Sequence, residues 1–351
     1  MVQSYDVIVV GAGPAGISVS IACANNGLKV LVIDKKTEEK IGDKVCGEAI
    51  SKETTEIVAK ELNIDTPKDN EINTQIENLV LRTSLPIDHI ILPAIGYMIN
   101  RHRYGQRLLK DAKRKGVNLL PETKVIKPII EEKKVVGVLV KAESSKIEEY
   151  FASYVIDCSG LMAIIRTNLP DDFEPLLNNQ LNKTDYAPCY REIIELEEKH
   201  DFNGKIVLQY EEDIPEPGYI WFFGDGEKKI NCGTGFIKEG KNKDKSVKSV
   251  YFKAMEKYFP KGSYKVIDGR GDSVPIRPPL WNAVAPGLIV VGDAAFHADP
   301  LTAEGHGPAM LAGLHAGETA TYAIRNNKHT LKDLWIYNKK VLKSFGAEHA
   351  R

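Results

Sequence analysis

The stretch from residue 5 to residue 34, YDVIVVGAGPAGISVSIACANNGLKVLVID, constrains the fold more than any other part of the chain. An apolar run, Val7 to Val10, leads into Gly11-Ala12-Gly13-Pro14-Ala15-Gly16. Small residues follow, then Gly27, a second apolar run from Val30 to Ile33, and the acid Asp34. In that order, and within one βαβ length, these parts read as a complete dinucleotide-binding unit. Gly11 permits the tight turn, Gly13 lets the backbone approach a pyrophosphate, and Gly16 lets helix and strand pack closely. The helix start offers unpaired N–H groups and a positive dipole end to phosphates. Asp34 ends the second strand, where a carboxylate takes ribose hydroxyls.

The rest of the 351 residues, 43% of them apolar, suffice for two domains or one large domain with an insertion. Balanced charge, 47 basic against 48 acidic residues, argues against nucleic acid as a partner. Five scattered cysteines (Cys23, Cys46, Cys158, Cys189 and Cys232) show no zinc spacing, so no metal site is expected and a reducing, cytoplasmic setting is. Residue 1 lies almost at the first strand, leaving no room for a signal peptide. The apolar runs are strand length, short of the ~20 residues of a membrane span, so membrane contact would be peripheral.

Along the chain, residues 71–99 alternate as strands of a second sheet, and residues 101–115 form an amphipathic helix closed by Gly116. Short strands follow, the last ending in Asp157-Cys158-Ser159-Gly160. The aromatic run Pro217-Gly218-Tyr219-Ile220-Trp221-Phe222-Phe223 reads as a strand with Tyr219, Trp221 and Phe223 on one face and Phe222 opposite. Residues 287–318 return to the opening pattern: a buried strand, Gly292-Asp293, a loop and a small-residue helix. The expected fold is therefore α/β, a Rossmann-type nucleotide-binding domain with an inserted antiparallel-sheet substrate domain. Residues 1–70, 100–165 and 270–330 are assigned to the first, and 71–99 and 166–269 to the second. Residues 331–351 read as a C-terminal helix still in progress at its last residue, which suggests a C-terminal part cut short.

With GAGPAG and the GD turn both present, the chain resembles the geranylgeranyl reductase family of FAD-dependent flavoproteins, which have a glutathione-reductase-like, p-hydroxybenzoate-hydroxylase-type fold. The resemblance also rests on Gly42-Asp43-Lys44-Val45-Cys46-Gly47, on Asn100-Arg101 with its helix, on GDAAFHADPLTAEGHG, and on PGYIWFF with Gly233 downstream. It implies FAD contacts from Gly11, Gly13, Ala15, Gly16, Asp34, Cys46, Gly47, Arg101, Val125 (through its backbone), Gly292, Asp293, Gly305 and His306. It implies a prenyl-lipid tunnel walled by Tyr219, Trp221 and Phe223. Cys46, activated by Lys44, is the candidate site thiol, and His297 and His306 are candidate proton shuttles. Ferredoxin or NAD(P)H would supply electrons. The sequence departs from the family pattern at Gly224, where a proline is usual, and at Thr302-Ala303-Glu304-Gly305, where consecutive glycines are.

The implied reaction is reduction of isoprenoid double bonds in membrane-lipid precursors or prenyl diphosphates. An aromatic-ring monooxygenase or a halogenase of the same fold is the main rival. The DCSG segment resembles a pyridine-nucleotide turn but lacks its longer pattern, although Arg166 follows, and PGYIWFFG does not fit a halogenase run. A non-catalytic prenyl-lipid carrier is a third reading.

Overall fold

A computed structural model of the chain describes residues 4–83, 89–142, 145–173, 177 and 180–350. Two eight-stranded sheets carry it. The first runs Val284–Ala285, Leu288–Val290, Ile147–Asp157, Ser4–Val10, Val30–Ile33 and Asn118–Leu120, parallel except for its edge hairpin. Thr123–Glu131 and Lys134–Ala142 attach as an antiparallel meander on the first half of Ile147–Asp157. The second half of that strand pairs in parallel with Ser4–Val10. Parallel strands covered on both faces need continuous apolar runs, and Val7 to Val10 and Val30 to Ile33 are all buried.

Helix α1 (Pro14–Asn25) starts with proline at its first position, where no N–H is missed. Helices α2 (Lys52–Leu62), α3 (Arg101–Arg114) and α4 (Val247–Tyr258) are capped by Ser51, Asn100 and Ser246, whose side chains accept backbone N–H bonds. Helix α5 (His306–Asn326) ends at Asn327 in the left-handed conformation. It lies directly on α1. A Cβ at Gly313 would stand 2.4 Å from the Ala15 carbonyl oxygen, and one at Gly317 would stand 2.5 Å from Ala22 Cβ. The small residues of both helices are thus what this backbone contact requires.

The second sheet runs Tyr264–Pro275, Tyr186–Leu196, Lys229–Phe236, Gly218–Gly224, Lys205–Gln209, Ile72–Arg82, His89–Ile99 and Ala49–Ser51. It is antiparallel apart from the Lys205–Gln209/Ile72–Arg82 pair. Three differences from expectation have local causes. Ala49–Ser51, expected in the nucleotide domain, joins this sheet because Gly96 lets Ile50 pass with no side chain between them. Tyr264–Pro275 runs beyond residue 270 because it pairs along all of Tyr186–Leu196. The C-terminal segment is broken into Leu331–Leu334, Ile336–Val341, a π turn at Leu342–Gly346 and Ala347–His349. There Tyr337 and Phe345 turn inward, the first donating to the Val290 carbonyl at 3.0 Å and the second packing on His297. Residues 84–88 of the expected second-sheet strands, residues 174–176 and 178–179 of the expected insertion, and Arg351 lie outside the described residues. Among the described residues no helix is long and apolar enough to cross a membrane, and no His, Cys, Asp or Glu cluster has the makings of a metal site.

Candidate functional site

The glycine loop forms a cradle with one open side. Gly11 has φ +103°, and a Cβ on it would lie 2.4 Å from the Cys158 carbonyl oxygen; one on Gly16 would lie 1.9 Å from the Gly11 oxygen. Around the Cβ direction of Gly13 nothing stands within 4 Å. The closed positions hold strand and helix together, and the open one leaves room for a ligand's phosphates. Asp34 accepts the Ala12 N–H at 2.7 Å and the Lys36 N–H at 2.8 Å. An ionised carboxylate has about four acceptor sites, so capacity remains for ribose hydroxyls. Val125 lies two residues along the strand whose Thr123 N–H donates to the Asp34 carbonyl at 2.9 Å.

The GD turn folds against the same cradle. Gly292, φ +69°, has Ala15 Cβ 3.1 Å from where its own Cβ would be, and Gly305 stands beside Ala298 and Asp293 Oδ1. Asp293 pairs with Lys44 at 2.8 Å. Burial tends to raise the Asp293 pKa, but Lys44, then Arg101, outweigh it and hold the acid below its ordinary value. Lys44 is correspondingly raised, first by Asp293. The Lys44 ammonium is therefore committed to Asp293, not to the Cys46 thiol as expected. Cys46 Sγ instead receives the Glu48 N–H at 3.3 Å. Arg101, buried at the first position of α3, lines a cavity of about 300 Å³ together with Gly42, Asp43, Lys44, Glu48 and Arg191.

The two histidines do not have the properties of neutral-pH shuttles. His297 is 1% exposed, its Nδ1 accepts the Gly292 N–H at 3.1 Å, and burial pushes its pKa down to about 3. It is a neutral brace for the GD turn. His306, the first residue of α5, is also buried, and burial with Arg101 and Lys44 nearby holds its pKa well below the usual value. Both of its ring nitrogens are buried without a protein partner. Buried polar atoms are almost always satisfied, so this orphaned pair beside Gly305 and Asp293 fits the polar edge of a bound cofactor. Two carboxyls of the site are pushed up toward neutrality. Burial, then Asp225, pushes Glu48 up to about 7, and burial, then Asp299, does the same to Glu304.

The aromatic strand closes the site from the other sheet. Ile220 and Phe222 point under α4 with Val207, Ile230 and Tyr251. Trp221 and Phe223 point the other way, with Tyr219 packed beside them and Ile76, Met98 and Leu208 beneath. That face is hydrogen-bonded to both loops of the nucleotide half. Tyr219 Oη donates to the Thr302 carbonyl at 2.7 Å. Trp221 Nε1 donates to Asn231 Oδ1 at 3.2 Å, and Asn231 Nδ2 donates to the Cys46 carbonyl at 3.0 Å. Gly47 is required by Phe223, whose Cε2 lies 2.6 Å from where a Cβ would be, and Gly233 by the Trp221 indole and the Tyr190 oxygen, both at 2.4 Å. At Gly224, where the family resemblance implied a proline, a Cβ would meet the Phe202 oxygen at 2.3 Å, so this position takes glycine.

The DCSG segment has a structural task. Asp157 accepts from Ser159 Oγ at 2.6 Å and from the Ser159, Ile165 and Arg166 N–H groups. Arg166 is fully buried, with Nε donating to the Ala294 carbonyl at 3.0 Å. It braces the GD turn and offers no surface for a pyridine nucleotide. Sequence reasoning missed Glu48, Asn231 and the chain Arg191–Asp268–Arg270–Asp43 that ties the second sheet to the Cys46 loop. Their partners are far away in sequence. Only the position of Glu48 within CGEAI signalled anything.

Residues 6–167 match the family described as FAD dependent oxidoreductase, and residues 185–274 match the geranylgeranyl reductase catalytic domain. A digeranylgeranylglycerophospholipid reductase of Methanosarcina acetivorans is 31% identical over 367 residues, covering 99% of this chain and 82% of the relative. One from Sulfolobus acidocaldarius is 29% identical over 348 residues, covering 99% and 75%. The solved structure of a geranylgeranyl bacteriochlorophyll reductase-like protein from Thermoplasma acidophilum superposes with a TM-score of 0.87 at 24% identity, over 99% of this chain and 86% of that one. A myxobacterial chondrochloren halogenase shares the fold, with a TM-score of 0.80 at 15% identity over 99% and 81%. A cradle for a dinucleotide and an aromatic wall facing it are thus joined in a chain that belongs to the FAD-dependent digeranylgeranylglycerophospholipid reductase family.

Proposed function

We propose that this protein saturates isoprenoid double bonds of a geranylgeranyl membrane-lipid precursor, using reduced FAD. The observation that carries the reading is the aromatic face of Tyr219, Trp221 and Phe223, an apolar wall hydrogen-bonded to the Thr302 loop and, through Asn231, to the Cys46 loop. An unactivated alkene offers no polar handle, so the protein must hold it by shape and exclude water.

In this reading Gly11, Gly13, Ala15, Gly16, Asp34 and the Val125 backbone hold the adenosine diphosphate part of FAD. Arg101, Gly292 and Asp293 hold the ribityl-phosphate part. Cys46, Gly47, Gly305 and His306 surround the ring. The bound cofactor supplies the hydride. Cys46 supplies the proton to the other alkene carbon. His306 gives its unpartnered nitrogens to the ring edge, and His297 keeps the GD turn rigid. Lys44 holds Asp293 ionised as a hydroxyl acceptor. Ferredoxin or NAD(P)H reduces the flavin. Ile91 and Ile95, 55% and 69% exposed on the strand His89–Ile99, give the protein an apolar edge for peripheral contact with the membrane that carries the substrate.

The test is mass spectrometry of a geranylgeranyl lipid after anaerobic incubation with the chemically reduced holoprotein. A ladder of two-hydrogen mass gains is expected. An unchanged lipid, with FAD bound and reduced, would sink the proposal.

A further inference from the structure

Resting on the reductase reading, we propose that Glu48 returns a proton to Cys46 after each double bond is reduced, drawing it from the charged cavity that separates the Cys46 loop from the second sheet. Position is the first argument. Glu48 follows Cys46 by two residues, and its N–H donates to the thiol sulfur at 3.3 Å. Its backbone is left-handed, φ +68°, a conformation that a side chain larger than glycine's disfavours. The Ile99 N–H, donating to the Glu48 carbonyl at 2.9 Å, holds it there. A glycine would suit this bend better, so the acid is retained against local preference, as at functional sites.

The surroundings are the second argument. Glu48 lines the cavity of about 300 Å³ that ends at Asp43 and Arg270, whose side chains are 40% and 41% exposed. The cavity therefore brings this half-buried acid into contact with solvent. Asn231, fully buried, donates to the Cys46 carbonyl at 3.0 Å and so fixes the loop that carries both Cys46 and Glu48. Every element around the carboxyl contributes a charge or polar group: Lys44 on its own loop, Arg101 and His102 at the start of α3, Arg191, Asp268 and Arg270 on the strands of the second sheet, and Asp225 beyond the aromatic strand. Burial first, then Asp225, raises the carboxyl to about 7, while Arg191 and Arg101 oppose them. Near neutrality it both releases and takes up protons, which best suits a relay. Glu304, the second carboxyl raised to about 7, sits on the GD loop and not beside Cys46, and the other groups of the site are occupied or neutral. Lys44 is paired with Asp293, and both histidines stay neutral.

The step balances. The Cys46 S–H proton goes to the alkene carbon that does not receive the hydride. The thiolate then takes the O–H proton of Glu48, and the Glu48 carboxylate takes one from water entering the cavity. No electrons move beyond the hydride pair supplied by the reduced cofactor.

The experiment measures lipid reduction by FAD-loaded protein, with dithionite as reductant, across a pH series. Glu48 acts as the acid, so wild-type turnover should fall as pH rises through about 7. Glu48→Gln should bind FAD as wild type does, turn over about a hundredfold more slowly, and lack that alkaline limb. Glu48→Asp should keep the limb, at a shifted pH. A Glu48→Gln protein with the wild-type rate and profile overturns the relay, and so does a Glu48→Asp limb that has not moved. The aspartate comparison decides the question alone if the glutamine variant loses FAD. A wild-type protein that leaves the lipid unchanged overturns the reductase reading and the relay together. Wild-type reduction with an indifferent Glu48 overturns the relay only.

Discussion

The two walls of the site obey different constraints. The nucleotide wall is made of backbone: Gly11 and Gly16 sit where one added carbon would lie within 2.4 Å of a main-chain oxygen. The aromatic wall, proposed for the substrate, meets the nucleotide half through side chains: a Cβ at Gly47 would meet only the Phe223 ring, which can shift. A wall of backbone fails abruptly when altered, whereas a wall of side chains yields by degrees and can be reshaped for another substrate.

The sharpest test of that contrast is Gly16→Ala. With main-chain oxygen 1.9 Å from the new carbon, the variant should be destabilised by about 3 kcal/mol and lose FAD, read by denaturant unfolding and by flavin absorbance after gel filtration. Gly13→Ala should separate fold from ligand. Its Cβ meets no protein atom within 4 Å and its φ is −75°, so stability should hold while FAD affinity drops about tenfold. Equal effects from both alanines would erase the distinction.

On the other wall, Phe222→Ala should cost about 4 kcal/mol because the ring is fully buried among Phe202, Tyr258 and Phe259. Phe223→Ala should unfold less easily than Phe222→Ala and keep FAD, yet lose reduction of long prenyl chains. The reverse ranking in urea would mean that the site-facing ring carries the core. A smaller effect belongs to Glu304. Its folded pKa of about 7 lies above the ordinary 4.5, so the stability linked to it is complete below pH 4.5 and is lost as pH rises through 7. Glu304→Gln should therefore match wild type in acid and exceed it by about 2 kcal/mol at about pH 8, as thermal melts would reveal. Smallest is Ile95→Asp, which should leave stability within about 0.5 kcal/mol but reduce sedimentation with lipid vesicles.

The contrast also explains what was readable in the sequence. The βαβ unit was legible down to single glycines, because a tight turn and close helix packing each demand glycine at a fixed spacing. The alternation of Tyr219, Trp221 and Phe223 against Phe222 was equally legible from a strand's period of two. Partnerships across the chain were not. Lys44 looks like a neighbour for Cys46 until Asp293, 249 residues away, takes its ammonium. His297 looks like a proton carrier until burial and the Gly292 N–H fix it neutral. Gly224 looks like a lapse from a motif until Phe202 is seen against it. For Lys44 and Gly224 the deciding atom comes from another segment, and for His297 the decision is burial; sequence spacing carries no trace of either.

The contact between α1 and α5 sets the order in which the protein can be made. A ribosome delivers the glycine loop first, yet Gly292, Gly313 and Gly317, which press on Ala15, Ser18 and Ala22, emerge only near the end. Until then the nascent chain carries an uncovered helix and, beside Ile147–Asp157, an empty place for Leu288–Val290. Such exposed apolar surface invites chaperones or aggregation. The cradle is thus incomplete until α5 has emerged, and a chain released before then would have the signature motif without the helix that packs on it.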